Sequence, residues 1–201
     1  MILFYKRDSF EEGCITTKKE LYYSEEFTFI PIFYKKQPLL LQTPPIFIPY
    51  GIQKYSESKS KEYMNISFQD FNTNKISKDF IQNFLKPIYQ EIVSKYKHKY
   101  KLEPFLKESQ YSQWMRCKLT ESTRFYNQEK KSITNFSSKL FGSVIIQLTG
   151  LWIIDTKAWF QWTIIQGKIY EPVILKEYAF IDDIPNTYSS KYQIPPHPPP
   201  P

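Results

Sequence analysis

The segment Trp114-Met-Arg-Cys-Lys-Leu-Thr120 sorts by a period of two. In an extended chain, Met115, Cys117 and Leu119 fall on one side and Trp114, Arg116, Lys118 and Thr120 on the other. A ring and two cations on one surface suit an unpaired nucleic acid strand. The cations neutralise phosphates, and a flat ring stacks on an exposed base for about 1–3 kcal/mol. Arg124, Tyr126, Lys130 and Lys131 continue this composition through the following turn. The same pattern also fits an ordinary exposed sheet face on which Trp114 covers the edge of a core, so both readings stay open for this stretch.

Other chemistries lack their residues. Only two histidines are present, His98 and His197, and the second stands inside a proline tail, so the clustered imidazoles of most zinc sites are missing. Cys14 and Cys117 have no CxxC partner and read as reduced thiols of an intracellular protein, with a single disulfide between them as the lesser alternative. The five glycines form no phosphate cradle before a Lys-Ser or Lys-Thr pair. Asp155 reads as a turn residue and Asp182-Asp183 as a solvated pair. Neither has a histidine or second carboxylate for acid–base work. No cofactor, metal or catalytic residue is expected, and the chain is read as a non-enzyme.

The 201 residues carry 27 Lys and Arg against 20 Asp and Glu, a formal +7, and 18% are aromatic. That length suits one domain. Only Arg7, Arg116 and Arg124 are arginine and only Ala158 and Ala179 alanine, a bias that an AT-rich genome produces without any functional demand. Placement of charge therefore counts for more than its sum. Lys95 to Lys107 carries five lysines against Glu103, a local net of +4. No stretch of about 18 apolar residues occurs, and the first ten residues are too short an apolar run for a signal segment.

The elements that would position these groups are mostly strands. Phe27 to Tyr34 alternates as a peripheral strand in which Pro31 demands an edge or a bulge. Leu39 to Leu41 and Ile46 to Ile48 are short strands separated by Thr43-Pro44-Pro45. A polar hairpin loop from Tyr55 to Glu62 leads to Tyr63–Phe68, with Met64, Ile66 and Phe68 on one side and Asn65 and Ser67 on the other. The apolar stripe from Phe80 to Tyr96 predicts a core-facing helix over about Ser77 to Lys97, capped by Ser77 and kinked or divided at Pro87. Further strands are expected at Trp114–Thr120, Phe125–Tyr126, Gly142–Leu148, Leu151–Ile154, Trp159–Gln166 and near Lys168–Leu175, with a turn at Asp155–Ala158. Short, closely spaced aromatic strands predict a small barrel. Trp162 shares a side with Phe160 and Ile164 and reads as core, whereas Trp159 alternates with Gln161 and Thr163 and reads as exposed. The tail Ile194–Pro201 reads as extended polyproline.

Pro38-Leu-Leu-Leu-Gln-Thr-Pro-Pro45, Ile48-Pro-Tyr-Gly-Ile52, Asn65-Ile-Ser-Phe68, the long helix, Gln147-Leu-Thr-Gly-Leu-Trp152, Trp159-Phe-Gln-Trp162 and Gln166 occur in an informative order. Over about Gln37 to Leu175 this order resembles the single-stranded DNA-binding proteins of large eukaryotic DNA viruses, relatives of the short-tailed-phage replication protein. The resemblance implies an OB-type barrel with a helix inserted between its strands. It also implies binding of DNA without sequence preference in replication and recombination. The chain departs from the phage pattern at its end, where those relatives carry an acidic tail with a terminal aromatic residue. Residues 176–201 have a net charge of only −1 and finish in prolines, so the partner-recruiting role of that tail is not carried over.

The resulting expectation is a mostly β, OB-like chain with a peripheral segment over 1–36, a binding domain over 37–175 and an extension over 176–201. It binds single-stranded DNA noncatalytically through Trp114, Arg116, Lys118, Arg124, Tyr126 and Lys130. Replication proteins and a second copy of the chain are further expected partners, and the expected place is an infected cell, in a viral factory or the nucleus. The rival expectation is a structural or scaffold protein of a large virus particle, in which the aromatic strands would serve assembly.

Overall fold

The computed structural model describes residues 2–55, 58–69, 74–110 and 112–172, with the backbone alone at 58–60 and 69. The chain divides into two units, Met1–Glu171 and Pro172–Pro201. The expected proline tail, Asp182-Asp183 and His197 lie outside the described residues. Before the helix come β1 (Ile2–Phe4), β2 (Ile15–Thr17), β3 (Leu21–Tyr22), β4 (Phe27–Tyr34), β5 (Leu39–Gln42), β6 (Ile46–Ile48), β7 (Gln53–Tyr55) and β8 (Ser58–Gln69). After it come β9 (Lys101–Leu102), β10 (Lys107–Glu108), β11 (Ser112–Lys118), β12 (Arg124–Tyr126), β13 (Ser132–Ile133), β14 (Leu140–Ile154) and β15 (Lys157–Tyr170).

Five of these close on themselves. The circuit runs β14, β6, β8, β11, β15 and back to β14, giving a closed five-stranded, OB-like barrel in a chain that is 50% strand. The helix enters between β8 and β11. Met64, Ile66, Met115, Cys117, Ile146, Leu148, Trp162 and Ile164 are all buried, as the period of two in each strand requires. The expected breaks within Gly142–Ile154 and Trp159–Tyr170 do not occur. β14 and β15 are single strands of 15 and 14 residues joined by Asp155-Thr156, and irregularities between Ile145 and Ile146 and between Leu148 and Gly150 bend the ladder instead of ending it. At the second irregularity Gly150 faces Pro31 of β4, so the proline's missing donor falls where the ladder is already disturbed. Gly150 admits no side chain. A Cβ there would lie 2.3 Å from the Ile30 carbonyl oxygen and 2.5 Å from the Phe29 ring.

The helix spans 22 residues as α1 (Lys75–Phe80), a π turn (Ile81–Leu85) and α2 (Lys86–Tyr96). Its cap is Asn74, not Ser77: the Asn74 side chain accepts the Ser77 N–H at 3.2 Å, and Ser77 is buried three residues inside. The apolar stripe begins too late to reveal that first turn. Pro87 does not divide the helix. Its ring would press on the carbonyl four residues back, and the wider turn just before it, in which the Lys86 N–H reaches the Ile81 carbonyl, gives it room. Phe80, Phe84, Leu85, Ile88 and Ile92 are buried, with Phe80 packed 5.8 Å from Phe68 of the barrel. The Glu91 carboxylate accepts the N–H groups of Gly13 and Ile15 at 3.0 Å, tying β2 to the helix.

Candidate nucleic-acid interface

The outward side of β11 carries Arg116 and Lys118, both exposed, between the buried Met115, Cys117 and Leu119. β8 runs antiparallel beside it, so Arg116 faces Asn65 and Lys118 faces Tyr63. The Arg116 guanidinium lies 4.3 Å from the centre of the Tyr63 ring and 5.9 Å from that of Tyr55, and its Nε donates to Asn65 Oδ1 at 3.4 Å. Its terminal nitrogens donate to no described residue. A stacked guanidinium held this way has lost much of its rotamer freedom before any anion arrives. Asn65 and Ser67, expected to face outward, are themselves buried, because Arg116 and its neighbours cover that side.

On the other flank of β11, β15 runs parallel and brings Lys118 beside Thr163. β15 also pairs with β14, which sets Trp159 directly opposite Trp152. These strands frame a groove of about 660 Å³. Lys61, Lys107, Arg116 and Lys118 line it against a single acid, Glu103, and none of the four cations has a carboxylate partner among the described residues. The rings are graded by exposure. Tyr55 and Trp159 are 38% and 36% exposed, Trp152 is half-buried, and Trp162 at the floor is 2% exposed. Trp152 is held in place by donating its indole N–H to the Gln161 side chain, which donates in turn to Thr149 Oγ1. Tyr23 and Phe29 close on Trp152 with ring centres 5.1 and 4.8 Å away.

The six residues singled out from sequence fall into three places. Arg116 and Lys118 line the groove, and Trp114, which does not line it, is half-buried with the ammonium of the groove-lining Lys107 5.2 Å from its ring. Tyr126 and Lys130 lie at a second concavity. Arg124 turns back on its own loop, donating to the carbonyls of Glu121 and Thr123. Sequence reasoning missed Tyr55, Lys61 and Tyr63, and counted Lys107 only within the Lys95 to Lys107 cluster. The alternation that places Asn65 outward continues to Tyr63 and Lys61, so a signal for two of them was there. The lysine-rich stretch after the helix is more neutral than its linear count suggests, because Lys95 pairs with Glu91 at 3.1 Å and Lys99 with Glu20 at 2.6 Å. The Lys99 hydrogen bond holds the Glu20 carboxyl below its ordinary range, and that carboxylate pushes Lys99 up. Complete burial pushes the Cys117 thiol far up, so it is not a thiolate nucleophile at neutral pH. Among the described residues no three His, Cys, Asp or Glu side chains gather as a metal site would need, and no helix is long and apolar enough to cross a membrane.

No known family profile matches the chain. Among solved structures, a C-terminally truncated single-stranded DNA-binding protein from bacteriophage Enc34 superposes with a TM-score of 0.51 at 9% identity, covering 77% of this chain and 95% of that one. A second structure of that phage protein gives 0.50 at 13% identity, over 82% and 97%. The chain shares its barrel fold with this phage protein. In sequence, the chain is 25% identical over 162 residues to the uncharacterised protein L291 of Acanthamoeba polyphaga mimivirus. The match covers 69% of this chain and 27% of that relative, so the chain spans about a quarter of the longer protein.

Proposed function

We propose that this chain binds single-stranded DNA without sequence preference and without catalysing a reaction, in the replication or recombination of a viral genome. The observation that carries the reading is the groove, where four cations without a carboxylate partner among the described residues and the graded rings of Tyr55, Trp159 and Trp152 share one surface. Cations at that density attract a phosphate backbone, and the rings supply stacking that a paired base cannot use. Stacking and charge read no base identity, which fits binding independent of sequence. The shared barrel adds that a phage protein of this fold is a single-stranded DNA-binding protein.

A polarisation titration with labelled poly-dT and with duplex DNA at several salt concentrations tests the reading. The expected result is an affinity for poly-dT well above that for duplex, falling linearly in a log–log plot against salt. Equal affinity for the two forms overturns the stacking argument. One observation favours the assembly reading: Leu21, Tyr22 and Phe27 on the β3–β4 hairpin are 45%, 72% and 40% exposed. Concentration-dependent sedimentation without DNA, together with absent poly-dT binding, is the outcome that reading requires.

A further inference from the structure

Beyond Lys118 the chain leaves the edge of β15 and returns to it as β12, again parallel, placing Arg124, Phe125 and Tyr126 beside Gln166, Gly167 and Lys168. The same edge of one strand thus carries two stations in series. Thr163 and Lys168 are five residues apart, about 17 Å along an extended chain. At the second station lies a separate concavity of about 490 Å³. Lys130 and Lys168, both exposed, flank it without any acid among its lining residues, and Glu129 in the same turn is held by Lys131 at 2.7 Å. Tyr126 and Tyr170 provide two half-buried rings, and Tyr170 is fixed by a 3.0 Å hydrogen bond between its hydroxyl and that of Ser143.

Lys130 is placed with care. The Asn127 side chain accepts the N–H groups of Glu129 and Lys131, both at 3.0 Å, and holds Lys130 at φ +64°, a left-handed conformation that glycine or asparagine would adopt at less cost. Lys35, Lys36 and Lys139 adopt the same left-handed conformation, so this backbone fixes where the Lys130 side chain starts and is not itself a mark of a site.

We propose that this concavity is a second subsite for the same single strand, so that a DNA chain leaving the groove past Lys118 continues along β15 and meets Tyr126, Lys130, Lys168 and Tyr170. The inference rests on the single-strand reading of the groove. It differs from that reading in one measurable respect, which is length. A short strand fills the groove alone, and only a longer one engages both stations.

The experiment compares oligo-dT of about 5 and about 16 nucleotides, the ends of the range that one such barrel covers, on the wild type and on Lys130→Gly with Lys168→Ala. Glycine suits the left-handed backbone at 130, so the variant is expected to melt at or above the wild-type temperature. The 5-mer should bind the variant as it binds the wild type. The 16-mer should bind more weakly, with a salt slope smaller by about 1.4, or 0.7 for each lost phosphate contact. Photocrosslinking of a halogenated-uracil 16-mer to wild-type protein, read by mass spectrometry, should label Tyr126 or Tyr170, and the 5-mer should not. An unchanged 16-mer slope with no label at either tyrosine overturns the second subsite and leaves the groove standing. Failure of the wild type to bind either oligonucleotide overturns the groove reading itself.

Discussion

The two faces of β15 put the same residue types to different use. Inward, Trp162 is 2% exposed and packs with Phe105 at 5.6 Å, while outward, three residues earlier, Trp159 is 36% exposed opposite Trp152. The inward ring packs in the core with Phe105 from the chain after the helix, whereas the outward ring lines the groove that Arg116, Lys118 and Lys107 also line. The strand's alternation, not the residue type, decides whether a tryptophan holds the barrel or faces a ligand.

The largest effect that would break this contrast is at the core. Trp162→Ala should cost about 3–5 kcal/mol of folding free energy through lost burial and a cavity, and should depress the melting temperature sharply. Trp162→Phe should cost much less, because the buried indole N–H has no hydrogen-bond partner among the described residues to lose. Trp159→Ala is the mirror case, with about 1–3 kcal/mol lost from poly-dT binding and a nearly unchanged melting curve. If instead Trp159→Ala melts early and Trp162→Ala binds poorly while melting normally, the two faces are assigned the wrong way round.

A smaller effect sharpens the electrostatic half. Arg116→Ala with Lys118→Ala should reduce the salt slope by about 1.4 for poly-dT while leaving the fold intact, since both side chains are exposed. An unchanged slope would remove this flank of β11 from the interface. The smallest effect lies away from the groove, at the exposed Glu20–Lys99 pair. The folded Glu20 carboxyl titrates below its ordinary 4.5. Its stabilising contribution is therefore complete above that value and lost as pH falls through the lower folded one. Melting temperatures of the wild type and Glu20→Gln should differ slightly at pH 7 and converge near pH 3, while poly-dT binding at pH 7 stays the same.

Much of this was legible because it is local. The alternation from Trp114 to Thr120 fixes which of its side chains point outward, and the Phe80 to Tyr96 stripe finds the helix. What sequence could not supply is partnership across the chain. Tyr63 and Tyr55 reach Arg116 only because β8 and β11 pair in one particular register, and Trp152 meets Trp159 only through the β14–β15 ladder. Arg124 looked equivalent to Arg116 by type and spacing, yet carbonyls of its own turn hold it. The sequence also could not show that β14 and β15 each run on as one strand, because the irregular pairing around Thr149 and Ile165 that bends the ladder without ending it depends on the partner strand.

The π turn at Ile81–Leu85 leaves a mark on what the helix can tolerate. It holds one residue more than an α-helical turn, so deleting a residue from it would make the hydrogen bonding regular. The five residues sweep about the angle of one α-helical turn, so Ile88 and Ile92 stay on the side of Phe80 and Phe84, whereas the extra residue held in regular α-helical geometry would rotate everything beyond it by about 100°, swinging Ile88 and Ile92 away from the barrel and turning exposed positions such as Gln90 inward. The irregular turn is the phase setting that lets two amphipathic half-helices share one apolar side, and a helix of the same length wound regularly throughout could bury only one of its halves.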